Sequence, residues 1–376
     1  MTRTVRAVRD HRRPCRLSPR PRCSLVLAAF DLGVQQAGFA MRAAVEHDSD
    51  ACRSLRANFP ETAVLEGDIR HVATKDLLAA AKLKSGDFEL LVGGPPCTPF
   101  SKSGYWIEAK RQGLDPEASL LEHYVRVLDE ARPRMFLLEN VFALAYANNN
   151  RPWLDFLLEA FDRLGYAVTQ KTVLAADYGV PQRRQRLILI GSLDGAPAMP
   201  DPTHTGPHER RVWEADGRSP HVTTGEKIGD LAGRDDLAES EEVVAGKYGH
   251  LLGEIPPGDN YLFYTAKRGH PNPVFGWRKR YWSFLLKLDP DQPAPTIQAQ
   301  PGPYVGPFHW SNRRLRRLDI KRLQTFPDDF VICGNRRSFQ RQVGNAVPPL
   351  LGRRIAEVLA EGRLARGQNQ QLAIAA

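Results

Sequence analysis

The sequence predicts an α/β protein built on a doubly wound, Rossmann-like parallel sheet, followed by a smaller and less regular region. Three observations predict it. Short apolar runs alternate with helical stretches between residues 23 and 191. Two of those runs end at a carboxylate, Glu46 and Asp68, beside the crevice where open sheets of this kind bind ligands. From Ser192 to about Asp289 the alternation disappears, and proline, glycine, histidine and charge rise together.

The elements follow in order. Cys23 to Ala29 reads as a buried strand, and Phe30 to Phe39 as a helix closed by Gly38. Ala43 to Glu46 is a short strand, Ser49 to Asn58 a helix, and Ala63 to Leu65 a strand followed by Asp68. A helix near Thr74 to Lys84 precedes the apolar run Asp87 to Val92, which Gly93-Gly94-Pro95-Pro96 ends sharply before Cys97. Paired prolines fix the direction of this loop, and its glycines let a ligand approach the main chain. Leu120 to Ala131 is a helix, and Arg134 to Val141 a strand that carries Glu139 in a nearly wholly apolar run. A carboxylate there needs a partner or a task. Trp153 to Leu164 is amphipathic. Arg184 and Arg186 stand two apart on an extended segment and should face the same side. In the irregular region, Asn260 to Tyr264 and Tyr281 to Phe284 read as short strands interleaved with basic residues. A helix through Leu359 closes the chain.

Composition narrows the class. Hydrophobic content of 42% and charged content of 25% suit a soluble globular protein, and no apolar run is long enough to span a bilayer. The five cysteines, Cys15, Cys23, Cys52, Cys97 and Cys333, are odd in number and contain no CxxC pair. This argues against a disulfide framework or a zinc site and for a reducing, cytoplasmic compartment. The net charge of +9 is concentrated in residues 1–22, where eight arginines face the single Asp10. The rest of the chain is nearly balanced, so local clusters carry more weight: Arg278-Lys279-Arg280, the Arg313 to Arg322 segment, Arg336-Arg337 and Arg341.

Five motifs then occur in a fixed order: Pro95-Pro96-Cys97, Glu139-Asn140-Val141, Gln182-x-Arg184-x-Arg186, Arg322 to Pro327, and Gly344-Asn345-Ala346-Val347-Pro348-Pro349. Each is weak alone, but together they closely resemble the DNA cytosine-5 methyltransferase family of the bacterial restriction-modification type. The resemblance covers roughly Phe30 to Leu359. It implies an S-adenosylmethionine-dependent methyltransferase sheet in residues 23–191 and an irregular β-rich target-recognition domain in 192–330. Residues 331–376 would return to the catalytic domain, and residues 1–22 would be a disordered or out-of-frame leader.

The resemblance also implies roles. Cys97 would add to C6 of cytosine, making C5 nucleophilic enough to take the methyl group. Glu139 would hold the N3 edge, protonated or sharing a proton as its apolar strand favours. Arg186 would hold Glu139 and the O2 side, and Arg184 would help anchor the site. The target base must be flipped out of the duplex, with the Ser101-Lys102 loop closing over it. Glu46 would bind the ribose of S-adenosylmethionine and Asp68 its adenine, with Pro96 and Asn345 completing that site and no metal. Ser101, Lys102, Gln182, Arg278, Lys279 and Arg280 would contact DNA. The implied partners are duplex DNA and a restriction endonuclease acting on the same site. The enzyme would be a monomer, acting in the cytoplasm on the nucleoid.

The sequence departs from the family pattern at three places. Thr98 stands where the family more often has glutamine, and Asp319 at a usual glutamate. The third departure is larger. The family opens with a Phe-x-Gly-x-Gly-Gly loop that cradles the cofactor, and Ser24, Val26, Ala28 and Ala29 occupy those four positions here. Codons for residues 23–29 exist that, read one nucleotide earlier, encode Leu-Phe-Ala-Gly-Ala-Gly-Gly. Residues before Phe30 are therefore expected to be an out-of-frame reading. Other readings stand beside the leading one: a tRNA cytosine-5 methyltransferase, a DNA-binding relic that has lost its cofactor loop, and, less well supported, a thiol hydrolase built on Cys97.

Overall fold

The computed structural model describes residues 23–27, 30–95, 120–147, 150–206 and 217–374. A seven-stranded sheet organises the first half of the chain. Its strands are β1 (Cys23–Leu27), β2 (Ala40–Glu46), β3 (Ala63–Glu66), β4 (Leu90–Gly93), β5 (Met135–Val141), β6 (Ala167–Leu174) and β8 (Gln185–Ser192). Their spatial order is β3-β2-β1-β4-β5-β8-β6. The first five run parallel, while β8 lies antiparallel to both β5 and β6. The order reverses between β1 and β4, which puts a ligand crevice beyond the carboxyl ends of those two strands.

The apolar strands are continuous because both faces of the sheet are covered. On β5, Phe136 and Leu138 pack with Leu77 of α3 (Thr74–Ala81), Val127 of α4 (Leu120–Ala131) and Leu157 of α6 (Arg151–Arg163). Met135 and Leu137 point the other way. They join Val34 of α1 (Asp31–Gln36), Leu55 of α2 (Ser49–Asn58) and Ile355 of α10 (Pro349–Ile374). Each such side chain contributes about 1.5–3 kcal/mol on burial. The C-terminal helix α10 therefore completes the layer begun by α1. Their approach is close: a Cβ on Gly33 would lie 2.5 Å from the Pro349 carbonyl oxygen, so no larger residue fits.

Beyond residue 192 two smaller cores form. One gathers Leu288, Ile297, Leu315, Ile320 and Leu323 of α8 (Arg317–Leu323) with Phe339 and Val343 of α9 (Arg336–Asn345). The other is aromatic and contains Tyr261, Tyr264, Phe284 and Phe308. The strand expected at Asn260 to Tyr264 is instead a 3-10 turn over Tyr261–Tyr264. The Asn260 side chain caps it by accepting from the Leu262 amide at 3.0 Å, which competes with extended pairing. Of the run Tyr281 to Phe284, Phe284 alone makes a bridge, to Val305.

Candidate functional site

The crevice is built from strand ends. Glu46 is the last residue of β2, and its Oε1 accepts from the backbone amides of His47 and Asp48, both at 2.8 Å. The carboxylate is thus oriented by the turn that follows it. Asp48 caps α2 by accepting from the Ala51 amide at 3.0 Å, and Arg341 of α9 pairs with its other oxygen. The exit of β3 is tied to the same place, with the Gly67 amide donating to the Glu46 carbonyl at 2.9 Å. Just beyond, Asp68 accepts from the Arg70 amide at 2.9 Å and from its Nε at 2.9–3.0 Å. These hydrogen bonds hold the Asp68 carboxyl down at about 2, well below its ordinary value.

A third carboxyl lies in this crevice, at a position that no motif in the sequence marks. Asp31, at the start of α1, has a buried Oδ1 with no hydrogen-bond partner. Burial, then the neighbouring charge of Glu46, pushes its carboxyl up to about 7. The usable signal is a charged residue two positions beyond the last glycine position of the family's cofactor loop. Asn345, the last residue of α9, is exposed. The neighbouring Gly344 has no room for a side chain, since a Cβ there would sit 2.4 Å from Ala299 Cα. Three carboxyl groups around a parallel-sheet crevice suit a cationic ligand carrying sugar hydroxyls and an amino-substituted ring. S-adenosylmethionine has those features.

The second half of the site lies beyond β4 and β5. Glu139, nearly buried on β5, is met by Arg186 of β8, whose Nε lies 2.5 Å from Oε1. The carboxylate thus has a cationic partner inside an apolar strand. The neighbouring Asn140 donates from Nδ2 to the Pro95 carbonyl at 3.4 Å, linking the tip of β5 to the loop that leaves β4. Pro96, Cys97, Thr98, Ser101 and Lys102 lie outside the described residues.

Two expected site residues are placed elsewhere. Arg184 does not join Arg186. The extended segment is interrupted there, between β7 (Gln182–Arg183) and β8. Its guanidinium runs instead to the carbonyls of Gly344 at 2.8 Å and Ile297 at 3.4 Å. Gln182 is fully buried rather than presented to DNA. Its Nε2 donates to Gln324 Oε1 at 3.0 Å, and its Oε1 accepts from the Ile297 amide at 3.2 Å. Both side chains staple the sheet to the smaller region.

Most of the basic clusters are likewise spent internally. Arg313 pairs with the buried Asp319 at 2.5 Å, Arg316 with Glu242 at 2.7 Å, and Arg336 with Glu239 at 3.2 Å. Arg322 bridges Asp230 and Asp328, both at 2.7 Å. Asp319 also accepts from the Arg316 amide at 2.7 Å, so an aspartate fills that helix-start role here. Arg278, Lys279 and Arg280 differ. All three are exposed, and among the described residues no carboxylate pairs with them. No group of three potential metal ligands occurs among the described residues, and none of their helices is long and apolar enough to cross a membrane.

A doubly wound sheet with acids where its strands run out, its first layer closed by a C-terminal helix, is an arrangement that S-adenosylmethionine-dependent methyltransferases use. Within that class, residues 26–361 match the C-5 cytosine-specific DNA methylase family, and the chain belongs to it. It is 48% identical over 329 residues to the type II methyltransferase M.SacI of Streptomyces achromogenes, covering 85% of this chain and 83% of that one. It is 33% identical to the type II methyltransferase M1.HphI of Haemophilus parahaemolyticus, covering 88% and 83%. Among solved structures it is similar to a putative DNA modification methyltransferase of an Escherichia coli prophage. The TM-score is 0.61 at 19% identity, covering 90% of this chain and 98% of that one. The Spodoptera frugiperda DNMT2 structure has a TM-score of 0.58 at 12% identity, over 90% and 99%. These structures share the fold. The protein is a DNA cytosine-5 methyltransferase.

Proposed function

We propose that this enzyme methylates C5 of a flipped-out cytosine in one duplex DNA sequence by covalent catalysis from Cys97. The observation that carries the reading is the Glu139–Arg186 pair at 2.5 Å, with Asn140 tying the same strand tip to the loop that leads to Cys97. The Cys97 thiolate adds to C6, and negative charge moves toward N3 and O2. Glu139 holds the N3 edge, and Arg186 keeps Glu139 in place while stabilising the charge as it develops. S-adenosylmethionine supplies an electrophilic methyl group on its sulfonium. Glu46 accepts from the ribose hydroxyls, Asp68 from the adenine amino group, and Asn345 and Pro96 line the methionine side. Loss of the C5 proton to a base then expels Cys97 by elimination.

Duplex DNA is bound by the smaller region. Its exposed basic surface is Arg278-Lys279-Arg280, while Ser101 and Lys102 close over the flipped base. The reaction uses no metal. The enzyme works as a monomer on the nucleoid in the cytoplasm, paired with a restriction endonuclease for the same site. The test is transfer of labelled methyl from S-adenosylmethionine to mixed-sequence duplex DNA, beside a Cys97→Ala control. Incorporation by the native chain that the control loses supports the reading. Incorporation that survives in the control overturns covalent catalysis from this residue.

A further inference from the structure

The exposed turn Trp277–Trp282 is unusual in how it is held. Tyr261, buried beneath it, uses one hydroxyl for two backbone bonds. The oxygen donates to the Arg280 carbonyl at 2.8 Å and accepts from the Arg280 amide at 3.1 Å. Next to it, Asn260 donates from Nδ2 to the Trp282 carbonyl at 2.8 Å. The Tyr261 ring stands edge-on to Phe275 and Phe284, with centroids 5.7 and 6.0 Å away. These rings flank the turn in sequence, so its two ends are packed as well as bonded.

What the turn presents is equally specific. Tyr281 and Trp282 are 70% and 60% exposed, large apolar surfaces left in water next to three cations. Arg278 has φ of 54°, a left-handed backbone that a branched or long side chain adopts only when its surroundings impose it. The Lys267 ammonium lies 4.5 Å and the Arg278 guanidinium 5.7 Å from the Trp277 ring centre. A surface that bound phosphates alone would need neither the rigid backbone nor the exposed rings, because backbone contacts are sequence-blind and tolerant of position. Base-edge readout uses such groups: a held guanidinium fork on guanine, and apolar side chains against thymine methyls.

We propose that the Trp277–Trp282 turn is the base-reading element of this enzyme. Arg278 addresses a guanine edge, Tyr281 and Trp282 make the apolar contacts, Lys279 holds phosphate, and Tyr261 with Asn260 are positioning residues that fix the reader. This rests on the placement of Arg278-Lys279-Arg280 against DNA argued above.

The test is selection of bound sites from a randomised duplex pool by the full-length chain, followed by affinity for the selected site against salt. Binding rather than turnover is read, so the result does not depend on the cofactor site. Arg278→Ala should weaken the selected site about tenfold to a hundredfold and erase preference at one or two positions. Lys279→Ala should weaken all sequences alike and reduce the salt slope by about one. Tyr261→Phe should blur the positions that Arg278→Ala blurs while leaving affinity for non-cognate DNA unchanged. If Tyr261→Phe unfolds, the exposed Arg278→Ala still decides the matter. Variants that lose affinity uniformly but keep the native consensus would overturn the inference. Variants that bind the whole pool as the native chain does would overturn the DNA-facing placement itself.

Discussion

Arg184 donates from Nη2 to the carbonyl of Gly344, 160 residues away, at 2.8 Å. The contact joins the segment leading into β8 to the helix that ends at Asn345, so an arginine in a catalytic-looking motif is a staple between two regions. Its fixed fork also reaches the Ile297 carbonyl, a geometry that lysine cannot copy. Arg184→Met should leave both buried carbonyls without these donors and cost about 2–4 kcal/mol of stability, read as a shift in the urea midpoint. Arg184→Lys should recover less than half of the loss. A methionine variant as stable as the native chain would show that the guanidinium does not bridge the regions.

The Glu139–Arg186 pair predicts a different signature. Both side chains are nearly buried at the tip of the sheet, and the proposed chemistry uses them only as charge develops on the ring. Glu139→Gln keeps the shape and removes the charge, so it should lower the single-turnover methylation rate about 10²–10³-fold. Affinity for DNA should stay within twofold. A loss in DNA affinity as large as the loss in rate would mean that the pair serves binding rather than the reaction.

Much of this arrangement was legible in the sequence because it is local. Apolar runs ended by glycine, proline or an acid gave the strands, and Glu46 and Glu139 do stand at strand tips or in the apolar strand expected for them. Partners distant in sequence were not legible. Nothing near Arg316 or Arg336 announces that Glu242 and Glu239 neutralise them, so clusters that read as a nucleic-acid surface proved internal. Alternation likewise placed Arg184 beside Arg186, which holds only where a strand is continuous. The aromatic run at Tyr261 has strand composition, yet Asn260 offers its backbone a local bond that the sheet does not. That same turn carries the hydroxyl that pins the exposed basic segment.

Asp31 gives a pH prediction. Its carboxyl rises to about 7 in the folded chain, through burial first and Glu46 second, against an ordinary value near 4 when unfolded. Between these values the folded state binds more protons than the unfolded one, so stability falls as pH rises through this window and levels off above it. Asp31→Asn removes that dependence. It should raise stability by about 1–3 kcal/mol at pH 8 and change it little at pH 4. Denaturant midpoints at the two pH values check this. An equal gain at both would mean that the effect is packing, not titration.

The last prediction concerns residues 23–29, where Ser24, Val26, Ala28 and Ala29 replace the aromatic and glycines of the family's cofactor loop. Backbone pairing of Cys23–Leu27 with both β2 and β4 keeps the strand in the sheet, so the substitution does not remove β1. What it removes is the freedom of the main chain to turn tightly beside the cofactor. Glycines at such positions also let a ligand approach the main chain closely, and Val26, Ala28 and Ala29 are not glycines. The family match begins at residue 26, inside this stretch. Replacing residues 23–29 with Leu-Phe-Ala-Gly-Ala-Gly-Gly should therefore tighten S-adenosylhomocysteine binding at least tenfold, measured by calorimetry, and raise methyl transfer to match. If the leader is an out-of-frame reading, the coding sequence will yield that same string one nucleotide earlier. Codons that cannot yield it would refute the frameshift. Equal cofactor affinity before and after the replacement would show instead that Asp31, Glu46 and Asp68 hold the ligand without the loop.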